Sequence, residues 1–195
     1  MVERESPLGA AYRPGSHGNF SGGVGFRMLE LKPGSIVEVV AWPGAEAVAL
    51  SAIGAATGLA LPHTPRAGIA EPRSSAFGFA PGKWLVLDQA EDTAARLAGA
   101  LTADAGTVVD LSHGRTVIRV SGKKVEWVLS KLFPIDFAVS SFPVGSGCAT
   151  AHHDVFAQIQ RSGESQFDLV VFRSFARSFW KSLGHLAEEV GYEVV

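Results

Sequence analysis

Apolar and polar positions along the chain switch repeatedly between a period of two and a helical period. Residues 26–31 and 36–42 read as strands joined by Lys32-Pro33-Gly34-Ser35, a sequence suited to a hairpin turn. Ala45, Val48, Ala49, Ala52, Ile53 and Ala56 then recur at helical spacing, and Gly58 is placed to end that helix. After a looser Pro-rich stretch, 61–75, two short strands are predicted at 76–80 and 83–88, split by Pro81-Gly82. Ala94, Leu97, Ala98 and Leu101 mark a second helix. The order to this point is β-β-α-β-β-α.

The remainder repeats it with one strand more. Strands are expected at 107–111 and 116–120. A helix follows, carrying Val125, Val128, Leu129 and Leu132 on one face with Ser121 as its cap. Further strands are predicted at 148–153, 155–160 and 167–172. In the last, Val170 and Phe172 blur the alternation of Phe167, Leu169 and Val171, as expected of a strand covered on both faces. A final helix over 174–190 carries the stripe Phe175, Phe179, Leu183, Leu186 and Val190, and Gly191 ends it. The pattern predicts an α+β fold of two ferredoxin-like ββαββα-type halves, with antiparallel sheets covered by helices. The expected division is a Gly/Pro-rich extended or disordered arm over 1–23, a first lobe over 24–104 and a second over 105–195, all in one compact subunit.

Composition narrows the function classes. The 47% hydrophobic and 18% charged fractions are those of a globular chain. A formal net charge of −2 with no Lys/Arg run argues against nucleic-acid binding. The longest uncharged run, 47–62, is shorter than the ~20 residues of a spanning helix. The beginning of the chain has no apolar core like that of a signal peptide. Cys148 is the single cysteine, so an internal disulfide and a thiolate-rich metal site are excluded. A cytoplasmic protein that does not enter the membrane is expected.

The candidate chemical groups read better as structure than as catalysis. His152-His153-Asp154 is the densest set of potential metal ligands. Adjacent strand residues point to opposite faces, however, and His113 would have to supply a third ligand. Residues 78–83 fall one spacer short of a phosphate loop and place Trp84 where a hydroxyl should stand. Ser146 lies in no nucleophile elbow. Cys148 and His152 on one strand would be about 13 Å apart, too far for thiol activation. Asp110 and Arg115 are expected to cap a turn and pair across a hairpin. Arg173 and Arg177 flank the start of the last helix, where an anion could bind, although a solvated face is the commoner arrangement. No catalytic, cofactor-binding or metal residue is assigned. Trp127 falls opposite the apolar stripe of its helix, among Lys123, Lys124 and Lys131, and is either a partner anchor or packed under the loop from Pro134 to Phe142.

Residues 110–122 (Asp-Leu-Ser-His-Gly-Arg-Thr-Val-Ile-Arg-Val-Ser-Gly) and 128–136 (Val-Leu-Ser-Lys-Leu-Phe-Pro-Ile-Asp) carry a family resemblance. Together with Phe142-Pro143-Val144-Gly145, Thr150, Arg173-Ser174-Phe175-Ala176, Trp180, Ser6-Pro7-Leu8 and the run 83–87, they resemble the gamma-subunit family of heterotetrameric sarcosine oxidase. Leu132-Phe133 departs from the Gly-Cys pair that family members often carry. The resemblance implies a fold related to the folate-binding aminomethyltransferase domain and a non-catalytic accessory role. The complex would oxidatively demethylate sarcosine to glycine, pass the methylene group to tetrahydrofolate and release hydrogen peroxide. FAD, FMN, NAD, tetrahydrofolate and zinc are then expected on the alpha, beta and delta partner subunits, with no cofactor on this chain. Docking would use the arm, through Leu8, Tyr12 and Phe20, together with Trp127. Two alternatives are a stand-alone folate-binding or one-carbon-transfer protein, whose Lys-Gly-Cys-Tyr type of motif is absent here, and a subunit of a sister N-methyl amino acid demethylase.

Overall fold

The computed structural model describes residues 5–195, so the first four residues of the expected arm lie outside the described residues. Twelve strands and four α-helices are present among them. After a 3-10 turn at Gly9–Ala11 come β1 (Gly15–His17), β2 (Phe26–Leu31), β3 (Ser35–Ala41), α1 (Glu46–Thr57), β4 (Gly68–Ala70), β5 (Ser74–Ala80), β6 (Lys83–Asp88) and α2 (Thr93–Ala100). The second half holds β7 (Gly106–Asp110), β8 (Arg115–Ser121), α3 (Val125–Leu132), β9 (Gly147–His152), β10 (Val155–Gly163), β11 (Gln166–Phe172), α4 (Ala176–Ala187) and β12 (Tyr192–Val194). The chain is α+β, as its pattern predicts. β2 to α2 and β7 to α4 both run β-β-α-β-β-β-α. β4 is the strand that the Pro-rich stretch conceals.

The sheets have the orders β1-β12-β2-β8-β11-β10-β9 and β4-β5-β6-β3-β7. Strands β9-β10-β11-β8-β2 of the first therefore correspond, one for one, to β4-β5-β6-β3-β7 of the second. The opening strand of each half leaves its own sheet and joins the other. β2 pairs antiparallel with β8, and β7 with β3. This exchange corrects two local expectations. The turn at residues 32–35 and the turn at 111–114 are crossovers between sheets, not hairpins. Turn chemistry reverses the chain, but tertiary pairing chooses the neighbouring strand. A side chain at Gly34 would overlap the backbone at Gln89 and Ala90, which is why the first crossover needs glycine.

Alternation along the strands sorts residues into three clusters. Val37, Val39, Ala76 and Val86 pack on Ala49, Ile53 and Ala56 of α1 and on Leu97 of α2. Ile118, Val120, Leu169 and Val171 pack on Val125, Val128 and Leu129 of α3 and on Phe179, Trp180 and Leu183 of α4. Ile36, Phe77, Leu85 and Leu87 meet Val117 and Val170 between the sheets. The layers are thus helices, sheet, sheet, helices. β11 is buried on both faces, as its blurred alternation predicts.

Helix ends show where local signals suffice. Gly58 ends α1 at φ +80° with its N–H on the Gly54 carbonyl. Ser121, the expected cap of α3, is instead the last residue of β8. The helix begins at Val125 without a side-chain cap, because the chain first passes Gly122 against the backbone of Gly25. Phe175 lies in a 3-10 turn ahead of α4 and is exposed, so the buried stripe is Ala176, Phe179, Trp180, Leu183 and Ala187. No helix among the described residues is long and apolar enough to cross a membrane.

Candidate docking surface

The arm is bound to the chain's own body. Leu8 is fully buried within the α3–α4 core. Tyr12 stacks obliquely on Trp180 with centroids 5.3 Å apart, and its hydroxyl donates to the Val195 carbonyl. Strand β1 pairs with β12, and His17 stacks on Tyr192 at 5.0 Å. Arg173 donates to the Glu5 carbonyl (2.6 Å) and Arg177 to that of Pro7 (3.5 Å). At Gly18, φ is +87° and a Cβ would lie 2.6 Å from the Glu188 carbonyl oxygen. The arm therefore lies flat on the end of α4. Over residues 5–23 the arm is not disordered but laid against the subunit, with Leu8, Ala11 and Tyr12 packed on its core. Leu8 has no surface to offer a partner, and Tyr12 is half-buried.

The other two expected anchors remain outside. Phe20 is 39% exposed and Trp127 41%. Contacts link their surroundings. Phe20 lies against Gly191, and Gly25 is backed by Val190 and Lys124. Lys131 bridges Glu189 (3.0 Å) and places its ammonium 3.5 Å over the Trp127 ring. Val24, also exposed, belongs to the same stretch. A second apolar feature, a cavity of about 410 Å3 in the other half, is lined by Pro62, Pro65, Phe79, Pro81 and Trp84. It had no sequence signal beyond scattered prolines and aromatics, because the 62–66 loop and the β5–β6 hairpin meet only in the folded chain.

The remaining candidate groups have structural tasks. His152 Nδ1 lies 2.9 Å from the Leu132 carbonyl, and a carbonyl partner requires the proton on that nitrogen. His153 falls in the turn at φ +50°, not on the strand. The two rings are therefore 4.3 Å apart and do not sit on opposite faces. His113 is exposed in the β7–β8 crossover, and no group of three or more His, Cys, Asp or Glu among the described residues could hold a metal. Cys148 packs at the edge of the α3–α4 core. Burial pushes its thiol pKa up, partly offset by the charge of Arg66. Asp110 accepts the Ser112 N–H (2.9 Å), as predicted for a turn cap. Arg115, expected to pair across a hairpin, lies 3.5 Å over the Phe172 ring, because β7 and β8 belong to different sheets. Pro81-Gly82 turns the β5–β6 hairpin, with Gly82 at φ +64°.

Sequence reasoning missed the buried ion pairs. Arg119 bonds both oxygens of Asp168 (2.7 and 2.8 Å) on the face between the sheets. Arg161, fully buried, bonds Glu126 (2.6 Å) and the carbonyls of Phe137 and Glu164 while lying over Phe167. Alternation alone would have given Arg161 an apolar neighbourhood, and its partners come from α3 and two loops.

Residues 43–189 match the Sarcosine oxidase, gamma subunit family. The chain belongs to that family. It is 30% identical over 165 residues to the sarcosine oxidase subunit gamma of Arthrobacter sp., covering 84% of this chain and 80% of that one. It is 29% identical over 173 residues to the subunit gamma of Corynebacterium sp. strain P-1, covering 88% and 84%. Among solved structures, a chain of the heterotetrameric sarcosine oxidase from Corynebacterium sp. U-96, in complex with pyrrole 2-carboxylate, superposes with a TM-score of 0.79 over 96% of both chains at 24% identity. The glycine cleavage system aminomethyltransferase T from Bartonella henselae shares the fold, with a TM-score of 0.64 at 15% identity over 88% of this chain and 48% of that one. The gamma-subunit fold therefore occurs as roughly half of a longer aminomethyltransferase.

Proposed function

We propose that this chain is the non-catalytic accessory subunit of a heterotetrameric sarcosine oxidase. The observation that carries the reading is the gamma-subunit family match over residues 43–189, supported by the near-complete structural likeness to a chain of such an oxidase. On this reading the redox chemistry, the demethylation of sarcosine with methylene transfer to tetrahydrofolate, takes place on the alpha, beta and delta partners in the cytoplasm. FAD, FMN, NAD, folate and zinc reside there. This subunit contributes surface: of the expected anchors, Phe20 and Trp127, exposed around the end of α4, keep apolar area available.

Co-expression with the large and small flavin-binding subunits, followed by affinity purification through this chain, tests the reading. The wild-type chain is expected to bring down yellow complex. Phe20→Ala combined with Trp127→Ala should reduce recovery at least about tenfold, as loss of a central aromatic anchor does. Recovery of the chain alone, colourless and without partners, would overturn the assignment. Titration of the isolated chain with reduced folate separates it from a stand-alone folate-binding protein, for which micromolar binding is expected.

A further inference from the structure

A groove of about 440 Å3 runs between the arm and the outer side of α4, its charged lining formed by Arg13, Arg177, Lys181, His185 and Glu188. Its charge is one-sided. Arg13 and Arg177 donate only to arm carbonyls, and Lys181 makes no hydrogen bond. None of the three faces a carboxylate among the described residues. The single acid on the wall, Glu188, lies 3.6 Å from His185. In a chain whose formal net charge is −2, three cations around one groove with no carboxylate partner among the described residues form a positive site.

The spacing selects the occupant. Arg177, Lys181 and His185 recur every fourth residue of α4, a rise of about 6 Å per step. Alternate side chains of an extended peptide are about 6.6 Å apart on one face. The small residues Ala10, Ala11 and Gly184 leave the groove open over that length. We infer that the groove between the arm and α4 receives an extended acidic segment of a partner subunit, with carboxylates at alternate positions facing Arg177 and Lys181 and with Arg13 adding its charge from the arm side. The inference rests on the accessory-subunit reading and adds to it the chemistry of one contact.

Fluorescein-labelled Glu-Ala-Glu-Ala-Glu-Ala serves as the probe, with fluorescence polarisation measured on the full chain at low and high salt. Binding is expected at low salt, loosening as salt screens the charges. Lys181→Glu, which removes a side chain with no internal contact, should weaken it about tenfold or more. Lys83→Glu, an equal charge change at the exposed β5–β6 turn, should leave it unchanged. A block peptide, Ala-Ala-Ala-Glu-Glu-Glu, should bind more weakly than the alternating one. Equal losses from both lysine variants, equal binding of the two peptides, or displacement by a lower concentration of tripolyphosphate would each overturn the inference. The first would leave only bulk charge, and the last would leave a small-anion site. Co-purification separates the layers. If the wild-type chain recovers no partner, the accessory reading falls. If it recovers partners that Lys181→Glu retains through 0.5 M salt, the groove alone falls.

Discussion

Arg161 shows how much one side chain can hold in this chain. Its guanidinium is removed from water, and three elements converge on it through Glu126 and the carbonyls of Phe137 and Glu164. Arg161→Met keeps the aliphatic packing but strands those carbonyls, so we expect a loss of about 3 kcal/mol in urea unfolding. Glu126→Gln should cost under about 1 kcal/mol, since the Glu126 side chain is 46% exposed and water can replace its partner. Cys148 gives a prediction of opposite chemical sense. Burial favours its neutral thiol, raising the folded pKa above the unfolded value. The stability this contributes is present below the ordinary thiol range, near 8.5, and is lost as pH rises through and above it. Iodoacetamide labelling at pH 8.5, followed by mass spectrometry, should run at least about tenfold slower for the native chain than for the urea-unfolded one. At this scale the sequence placed Cys148 in packing and Asp110 at a turn, while for Trp127 it left surface and packing under the 134–142 loop both open. It misplaced Leu8, because a leucine in a Gly/Pro-rich stretch carries no period that reports what it packs against.

Elements in this fold are held where backbones come close. Gly147 opens β9 directly against the Phe77 ring of β5, and even a Cβ there would overlap the ring. Gly147→Val should force the sheets apart and cost about 3 kcal/mol or more, read as a lowered urea midpoint. Such a glycine looks like any loop glycine in sequence, since the contact spans about seventy positions along the chain. The arm makes the complementary case. Leu8→Ala should destabilise the isolated subunit by 2–5 kcal/mol, the usual range for emptying a buried leucine site. Deleting residues 5–22 should therefore weaken the fold itself, so any loss of assembly after that deletion must be compared with the Leu8→Ala variant. Element identities were legible because period two and period 3.6 survive in short windows. β1, β4 and β12, each three residues long, are too short to show a period.

The whole molecule is tied together by reciprocal exchange. β2 is built into the sheet made mainly from the second half, between β12 and β8, and β7 forms an edge of the sheet made mainly from the first. A division at 104/105 therefore strips the first lobe of its edge strand β7 and the second of β2, which joins β12 to β8. We expect residues 24–104 expressed alone to lack protease-resistant structure, while the full chain unfolds in urea in a single transition seen alike by circular dichroism and fluorescence. Two independent transitions would show that the lobes are separable. From sequence alone came the α+β class, the repeated order of strands and helices, the apolar stripe of each helix and the family resemblance. These follow from local periodicity and short runs of residues, which the chain carries whether or not it is folded. Which strand lies beside which, the return of the arm onto α4, the buried Arg161 and Arg119–Asp168 networks and the cationic groove were decided only in the tertiary structure. Each depends on residues far apart in sequence meeting across sheets that pattern alone does not pair.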